Sequence, residues 1–127
     1  MVNDCLFIDN SGVTTAVNKF AAAGAIATNS NLKVFDSIFK KNKAIATASG
    51  FGGGGAISAF NTDVLVLSSV FESNEASGEG GAARINGASV AWYNNKELLL
   101  GNDAGEDCDG AKVVGERCFS VEENFPL

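Results

Sequence analysis

The chain contains no histidine, a single proline and only two arginines, Arg84 and Arg117. Without histidine or any Cys-x-x-Cys pair, the usual donor set of a zinc site is missing. Nine basic residues stand against 15 acidic ones, a formal charge of -6. That balance lacks the basic footprint that nucleic acid phosphates demand, and it equally opposes an anionic membrane surface. No apolar run reaches the ~18 residues needed to span a bilayer, and Phe20 to Ala27 falls well short. The first residues have neither the basic nor the apolar region of a secretory leader. Met1 is therefore read as opening an intracellular protein or, in better accord with the organisation below, a processed or excised piece of a longer one. No Asn-x-Ser/Thr acceptor occurs, so glycosylation gives no hint of compartment.

What is present favours short strands and tight turns. The 127 residues suffice for one core, and the 15 glycines are nearly twice the usual share, alongside many Ala, Val, Ile, Ser, Thr and Asn. The pattern that orders them is Leu6-Phe7-Ile8-Asp9-Asn10, which returns as Ile38-Phe39-Lys40-Lys41-Asn42 and Val70-Phe71-Glu72-Ser73-Asn74, at two intervals of 32 residues. The likeness extends across whole units: Asn29 aligns with Asn61, Leu32 with Val64, Val34 with Val66 and Ile38 with Val70. Recurrence at a fixed interval marks a repeat architecture. A third unit runs from Gly80-Gly81-Ala82-Ala83 and is shorter, with Trp92 and Asn95 as the nearest equivalents of Phe and Asn. Residues 1–100 thus read as repeats ending near Asn10, Asn42, Asn74 and Asn95, and 101–127 as an acidic, cysteine-containing tail or cap.

Each unit reads as about three short strands and one longer variable loop, at 11–22, 43–53 and 75–79. A constant strand set with one elastic loop predicts an all-β fold, a parallel β-solenoid of three to four coils rising by roughly 4.8 Å per coil. Parallel coils place equivalent residues above one another. Phe7, Phe39 and Phe71 should therefore stack inside, and Asn10, Asn42 and Asn74 should form a ladder at a bend, bonding to each other and to stranded backbone groups. Gly-Gly-Ala-Ile supplies a turn with positive φ and a small strand face. Leu98-Leu99-Leu100 reads as one further strand.

The pairing of Gly54-Gly55-Ala56-Ile57 with Phe71 to Asn74, of Ala23-Gly24-Ala25-Ile26 with Phe39 to Asn42, and the degenerate Gly80-Gly81-Ala82-Ala83 resembles the polymorphic outer membrane protein type of repeat, over roughly residues 6–95. The resemblance implies a right-handed parallel β-helix and a surface-exposed, adhesive passenger segment of a longer protein. The chain departs from those proteins in lacking a leader and a membrane barrel and in its cysteine-bearing tail. Similar repeats occur in large extracellular proteins of algae and protists, so the implied location is extracellular or the cell surface.

Candidate chemistry is sparse. Enzymes of this architecture that act on acidic polysaccharides need clustered carboxylates with Arg, Lys, His or calcium. Here Lys33, Asp36 and Asp63 align with nothing equivalent and do not converge. Gly50-Phe51-Gly52-Gly53-Gly54-Gly55 is followed by no Lys-Ser/Thr, so it reads as a solenoid loop and not a phosphate cradle. The tail loop with Asp103, Glu106, Asp107 and Asp109 offers hard oxygen ligands for calcium, in a spacing unlike an EF-hand; a solvated acidic turn is the other reading. Cys108 and Cys118, ten positions apart, could staple that tail by a disulfide or stay as thiols, leaving Cys5 unassigned. The expectation is a non-catalytic structural or adhesive module without a cofactor, binding another protein chain at an open solenoid end or along its strand faces. A fragment of a carbohydrate-active β-helix protein, of lyase or epimerase type, and an accessory subunit of a large complex are the alternatives. Because the first unit starts partway through a coil, something is expected to cover its N-terminal end: more of the same protein, a second subunit or an assembly partner.

Overall fold

A computed structural model describes residues 1–17, 20–21, 23–47, 50–78, 80–86, 90–93, 96–97, 102–104 and 116–119. The first coil contains β1 (Val2–Asn3), β2 (Leu6–Ile8), β3 (Ser11–Thr14), β4 (Phe20–Ala21) and β5 (Ile26–Thr28). The second contains β6 (Leu32–Phe35), β7 (Ile38–Lys40), β8 (Lys43–Ala46), β9 (Phe51–Gly52) and β10 (Ile57–Phe60). The third contains β11 (Val64–Leu67), β12 (Val70–Glu72), β13 (Glu75–Ala76) and β14 (Ala83–Asn86), and the fourth β15 (Val90–Tyr93), β16 (Lys96–Glu97) and β17 (Asp103–Ala104). The last strand among the described residues is β18 (Glu116–Phe119).

The described strands fall into five sheets that the chain visits in a fixed order. Sheet A is β1-β6-β11-β15, sheet B β2-β7-β12-β16, sheet C β3-β8-β13-β17, sheet D β4-β9 and sheet E β5-β10-β14-β18. Every pairing among the first seventeen strands is parallel, and each return lands one strand further along the same sheet, which is the path of a β-solenoid. The register shows the period directly: Val2 opposes Val34, Val34 opposes Val66, and Val66 opposes Trp92. Only β18 breaks the rule, lying antiparallel on β14 with Ala83 opposite Phe119. No helix occurs among the described residues, and none long and apolar enough to cross a membrane is found there.

The segments expected as variable loops hold strands: β3 and β4 within 11–22, β8 and β9 within 43–53, and β13 within 75–79. Their elasticity is nonetheless real. From Ala76 at the end of β13 the chain passes to Ala83 at the start of β14 with no sheet D strand among the described residues between them, and the next interval shortens to that between Ile57 and Ala83. Ser77 and Gly78 make that crossing on backbone bonds to the Ala44 and Gly52 carbonyls, 3.0 and 2.6 Å.

Corners are marked by left-handed residues in columns. Asp4, Asp36 and Ser68 (φ 50, 47 and 52) turn the chain from sheet A to B, and Asp9, Lys41 and Ser73 (φ 56, 55 and 54) turn it from B to C. Repeating an unfavourable backbone angle in every coil is tolerable because the flanking strands over-determine it. Inside lie Val34, Phe39, Ile57, Val64, Val66, Phe71, Ile85 and Trp92, packed as one cluster. Sheet alternation places them there: in β6, Leu32 and Val34 are buried while Lys33 points outward.

Candidate functional site

Two side-chain columns line the corner that leads from sheet B into sheet C. Phe7 and Phe39 have ring centroids 4.7 Å apart and Phe39 and Phe71 4.9 Å, each pair inclined by only 3°. Those spacings equal the rise of one strand, so the stack is set by the coil itself; because they exceed the ~3.5 Å contact distance of flat carbon surfaces, the rings must slip sideways into the favoured offset. Beside them, the Asn10 N–H and Nδ2–H both donate to Asn42 Oδ1, at 3.1 and 2.9 Å. Asn42 repeats this toward Asn74 at 3.0 and 2.9 Å, and sends its other amide hydrogen back to the Phe7 carbonyl at 3.1 Å. Asn74 likewise bonds the Phe39 carbonyl at 3.0 Å. Asn42 and Asn74 thus each satisfy a carbonyl of the coil below and an amide oxygen of the coil above.

The fourth rung is Asn102. Its Oδ1 accepts from the Asn74 N–H and Nδ2–H at 3.1 and 2.8 Å, and its own amide donates to the Phe71 carbonyl at 3.3 Å. Asn95, expected to close that unit, lies outside the described residues, as does the expected strand at 98–100. Trp92 does cover the aromatic stack, with its ring 4.6 Å from Phe71 and tilted by 34°, but it reaches there from sheet A. The residue in register with Phe71 is Glu97.

The glycine motif and the Asn ladder meet across the interior. A Cβ on Gly24 would strike the Gly55 carbonyl and the Lys43 amide, and one on Gly55 would strike the Gly81 carbonyl and the Glu75 amide. Lys43 and Glu75 are the residues that follow the Asn42 and Asn74 rungs. Two corners therefore approach to backbone contact, and only glycine fits between them.

A third column had no counterpart in the sequence reading. The Cys5 N–H donates to Ser37 Oγ and the Ser37 N–H to Ser69 Oγ, both at 3.2 Å. Each of these side chains bonds the carbonyl two residues back: Ser37 Oγ to Phe35, Ser69 Oγ to Leu67 and Cys5 Sγ to Asn3, at 2.7, 3.0 and 3.2 Å. Cys5 is thus the first rung of a serine column, with a free thiol, and the interval of 32 between Cys5, Ser37 and Ser69 would have disclosed it.

At the N-terminal end these columns stop with groups turned outward. Asn10 Oδ1 occupies the place at which Asn42 Oδ1 takes two donors. By register, the Leu6 and Ser11 N–H groups face the way that Ile38 N–H faces Cys5 O and Lys43 N–H faces Asn10 O, at 2.9 Å each. Around them Leu6, Ile8, Val13 and Val17 are 62, 44, 58 and 65% exposed. On the outer face of sheet B, Leu6, Ile38 and Val70 form an apolar column, and Lys40–Glu72 and Lys43–Glu75 ion pairs of 3.1 and 3.3 Å link the second and third coils.

The other candidate residues do not assemble. Asp36 sits at a left-handed corner, Lys33 on the outer face of β6, and Asp63 in the turn before β11, each exposed. Asp103 lies in β17 opposite Glu75, while Glu106, Asp107 and Asp109 lie outside the described residues, so the calcium expectation falls largely there. Among the described residues no three His, Cys, Asp or Glu side chains gather as metal ligands. Cys118 is in β18 opposite Arg84, and Cys108, its expected disulfide partner, is outside the described set. Compared with known proteins, the chain matches no family model, no curated protein and no solved structure.

Proposed function

We propose that this chain is a non-catalytic β-solenoid module that acts structurally or adhesively by binding another protein along its strand faces or at an open end of its stack. Its coil is read as right-handed, in keeping with the strong preference of parallel crossovers for that hand and with the polymorphic outer membrane protein repeats it resembles. The extracellular or cell-surface setting rests on the same resemblance.

The observation that supports the reading is the exposed apolar face of sheet B, where Leu6 and Ile38 stand in register at 62 and 41% exposure and Ile8 lies beside Leu6 at 44%. Unpaired strand edges are ready sites for another chain, and clustered apolar exposure marks interaction surfaces.

The test is co-purification of partners by the wild-type chain and by Leu6→Asp, together with incubation on alginate and pectin with and without calcium. A partner held by the wild type and lost with Leu6→Asp, and no unsaturated product in the ultraviolet, is the expected result. Formation of such product would overturn it.

A further inference from the structure

The outer face of sheet B does not depend on what stands above or below the stack. Ile38 and Val70 belong to the second and third coils, and a coil added at either end would lengthen the sheet while leaving their outward side as it is. Leu6, Ile38 and Val70 form one column of this face, and two residues further along each strand Ile8, Lys40 and Glu72 form a second. Corner residues flank the columns, Asp4, Asp36 and Ser68 on one side and Asp9, Lys41 and Ser73 on the other. Compared position by position, the second and third coils are complements. Ile38 answers to Val70, Lys40 to Glu72, Asp36 to Ser68 and Lys41 to Ser73.

Resting on the proposed binding along the strand faces, we infer that this face receives a second copy of the chain, its stack running the opposite way, about a twofold axis that lies along the strands between β7 and β12. Such an axis makes a self-complementary interface, because it lays the second coil of each copy over the third coil of the other. Ile38 then meets Val70 and Lys40 meets Glu72, while at the margins Asp36 and Lys41 meet serines, so no like charges of these coils oppose. Each Lys40–Glu72 pair, 3.1 Å within one chain, becomes half of a four-charge cluster with alternating signs. Leu6 comes over β16, the fourth-coil strand of the same sheet. Other arrangements lose the match. An axis centred on the second coil sets Lys40 against Lys40, and an axis along the stack sets Ile38 against Lys40 and Val70 against Glu72, which strips water from charge without a partner. Strands three residues wide make a face smaller than the ~800 Å2 per partner of a standard interface, so the association is a weak one.

The experiment is sedimentation equilibrium of the full chain from about 10 µM to about 1 mM, where a weak pair is populated. A monomer–dimer equilibrium is expected, weakened about tenfold by Lys40→Glu, by Glu72→Lys and by Ile38→Asp. Because Lys40 and Glu72 face each other across the axis, the two charge variants mixed in equal amounts should pair to within about threefold of the wild-type affinity. A charge effect confined to one chain would give no such rescue. Thermal melting by circular dichroism checks the fold of each variant; should a charge variant be unfolded, Ile38→Asp decides alone, at a position 41% exposed. A chain that stays monomeric at about 1 mM, a dimer indifferent to Ile38→Asp, or folded charge variants that ignore each other when mixed would each overturn the inference. A monomeric chain whose co-purified partner is lost with both Leu6→Asp and Ile38→Asp would refute the second copy and leave the binding role standing. Absence of a dimer and of any partner would remove the two together.

Discussion

The first and third coils carry the same five-residue pattern and meet opposite fates. At 70–74 the Phe71 and Asn74 side chains are wholly buried; at 6–10 Phe7 is half-buried, Asn10 is exposed and Leu6 is 62% exposed. Local sequence cannot account for this, since both copies have an aliphatic residue, Phe and Asn at the same offsets. What differs is the neighbour. Phe71 lies between Phe39 and Trp92, while Phe7 is stacked only on Phe39 among the described rings. In a solenoid each coil draws its burial from the coils beside it, so identical motifs should differ in energetic worth by position alone.

The largest test of this is a pair of truncations. Phe71→Ala removes a ring that is 0% exposed from the centre of the stack and should cost about 3–5 kcal/mol in urea unfolding, the range for a buried Phe. Phe7→Ala should cost roughly a third less, because part of its ring stays in water. Equal losses would mean that the first coil is buried against something in solution, and would count against an open end.

The Asn columns give the next largest contrast. Asn74→Ala strands the Phe39 carbonyl and the Asn42 donors in the interior and leaves Asn102 Oδ1 with only the Asn74 backbone N–H; at roughly 1–3 kcal/mol for a stranded buried group, partly relieved by relaxation, a loss of about 2–4 kcal/mol is expected. Asn10→Ala should cost no more than about 1 kcal/mol, since water reaches the groups it leaves. Asn74→Asp is the sharper probe of geometry, because it keeps the acceptor for Asn42 and deletes the donors to Phe39 and Asn102. At neutral pH it should cost at least as much as Asn74→Ala, because the buried carboxylate would face the Phe39 carbonyl and Asn102 Oδ1 where the amide donated to both, as unfolding midpoints would reveal.

How far the sequence disclosed this architecture follows from the same physics. The interval of 32, the Phe and Asn columns and the β6 and β11 strands were legible, because translation along a parallel stack puts like residues over like and because Leu32-Lys33-Val34 alternates in polarity. Strands β3, β8 and β13 were not, since their inward positions are Gly12, Ala44 and Ala76. Side chains that small leave no hydrophobic alternation to read, yet they are what the close approach of two corners requires. Asn102 escaped for a different reason: the preceding coil shows no sheet D strand among its described residues, and the chain then lengthens between β16 and β17, so no single period reaches it. Trp92 was matched to the Phe position, whereas its length lets it serve the stack from the neighbouring sheet. The outward groups at Asn10 emerged only with the ladder's polarity, which no residue pattern encodes.

The smallest expected effect concerns charge, and it bears on why the first coil stands apart. Lys40–Glu72 and Lys43–Glu75 tie the second coil to the third, while the first coil places Ile8 and Ser11 in the same columns. If such pairs held coils together, the first coil would be the weakly attached one for want of them. These side chains are between 30 and 51% exposed, and ion pairs open to water contribute little after screening and side-chain entropy. Glu72→Gln with Glu75→Gln should therefore lower stability by under about 1 kcal/mol at low salt, and by less still at about 0.5 M NaCl. A larger loss that salt does not relieve would transfer part of the cohesion between coils from the buried columns to the surface. The present geometry assigns it to the columns, where Phe and Asn contacts recur at every step and the charges do not.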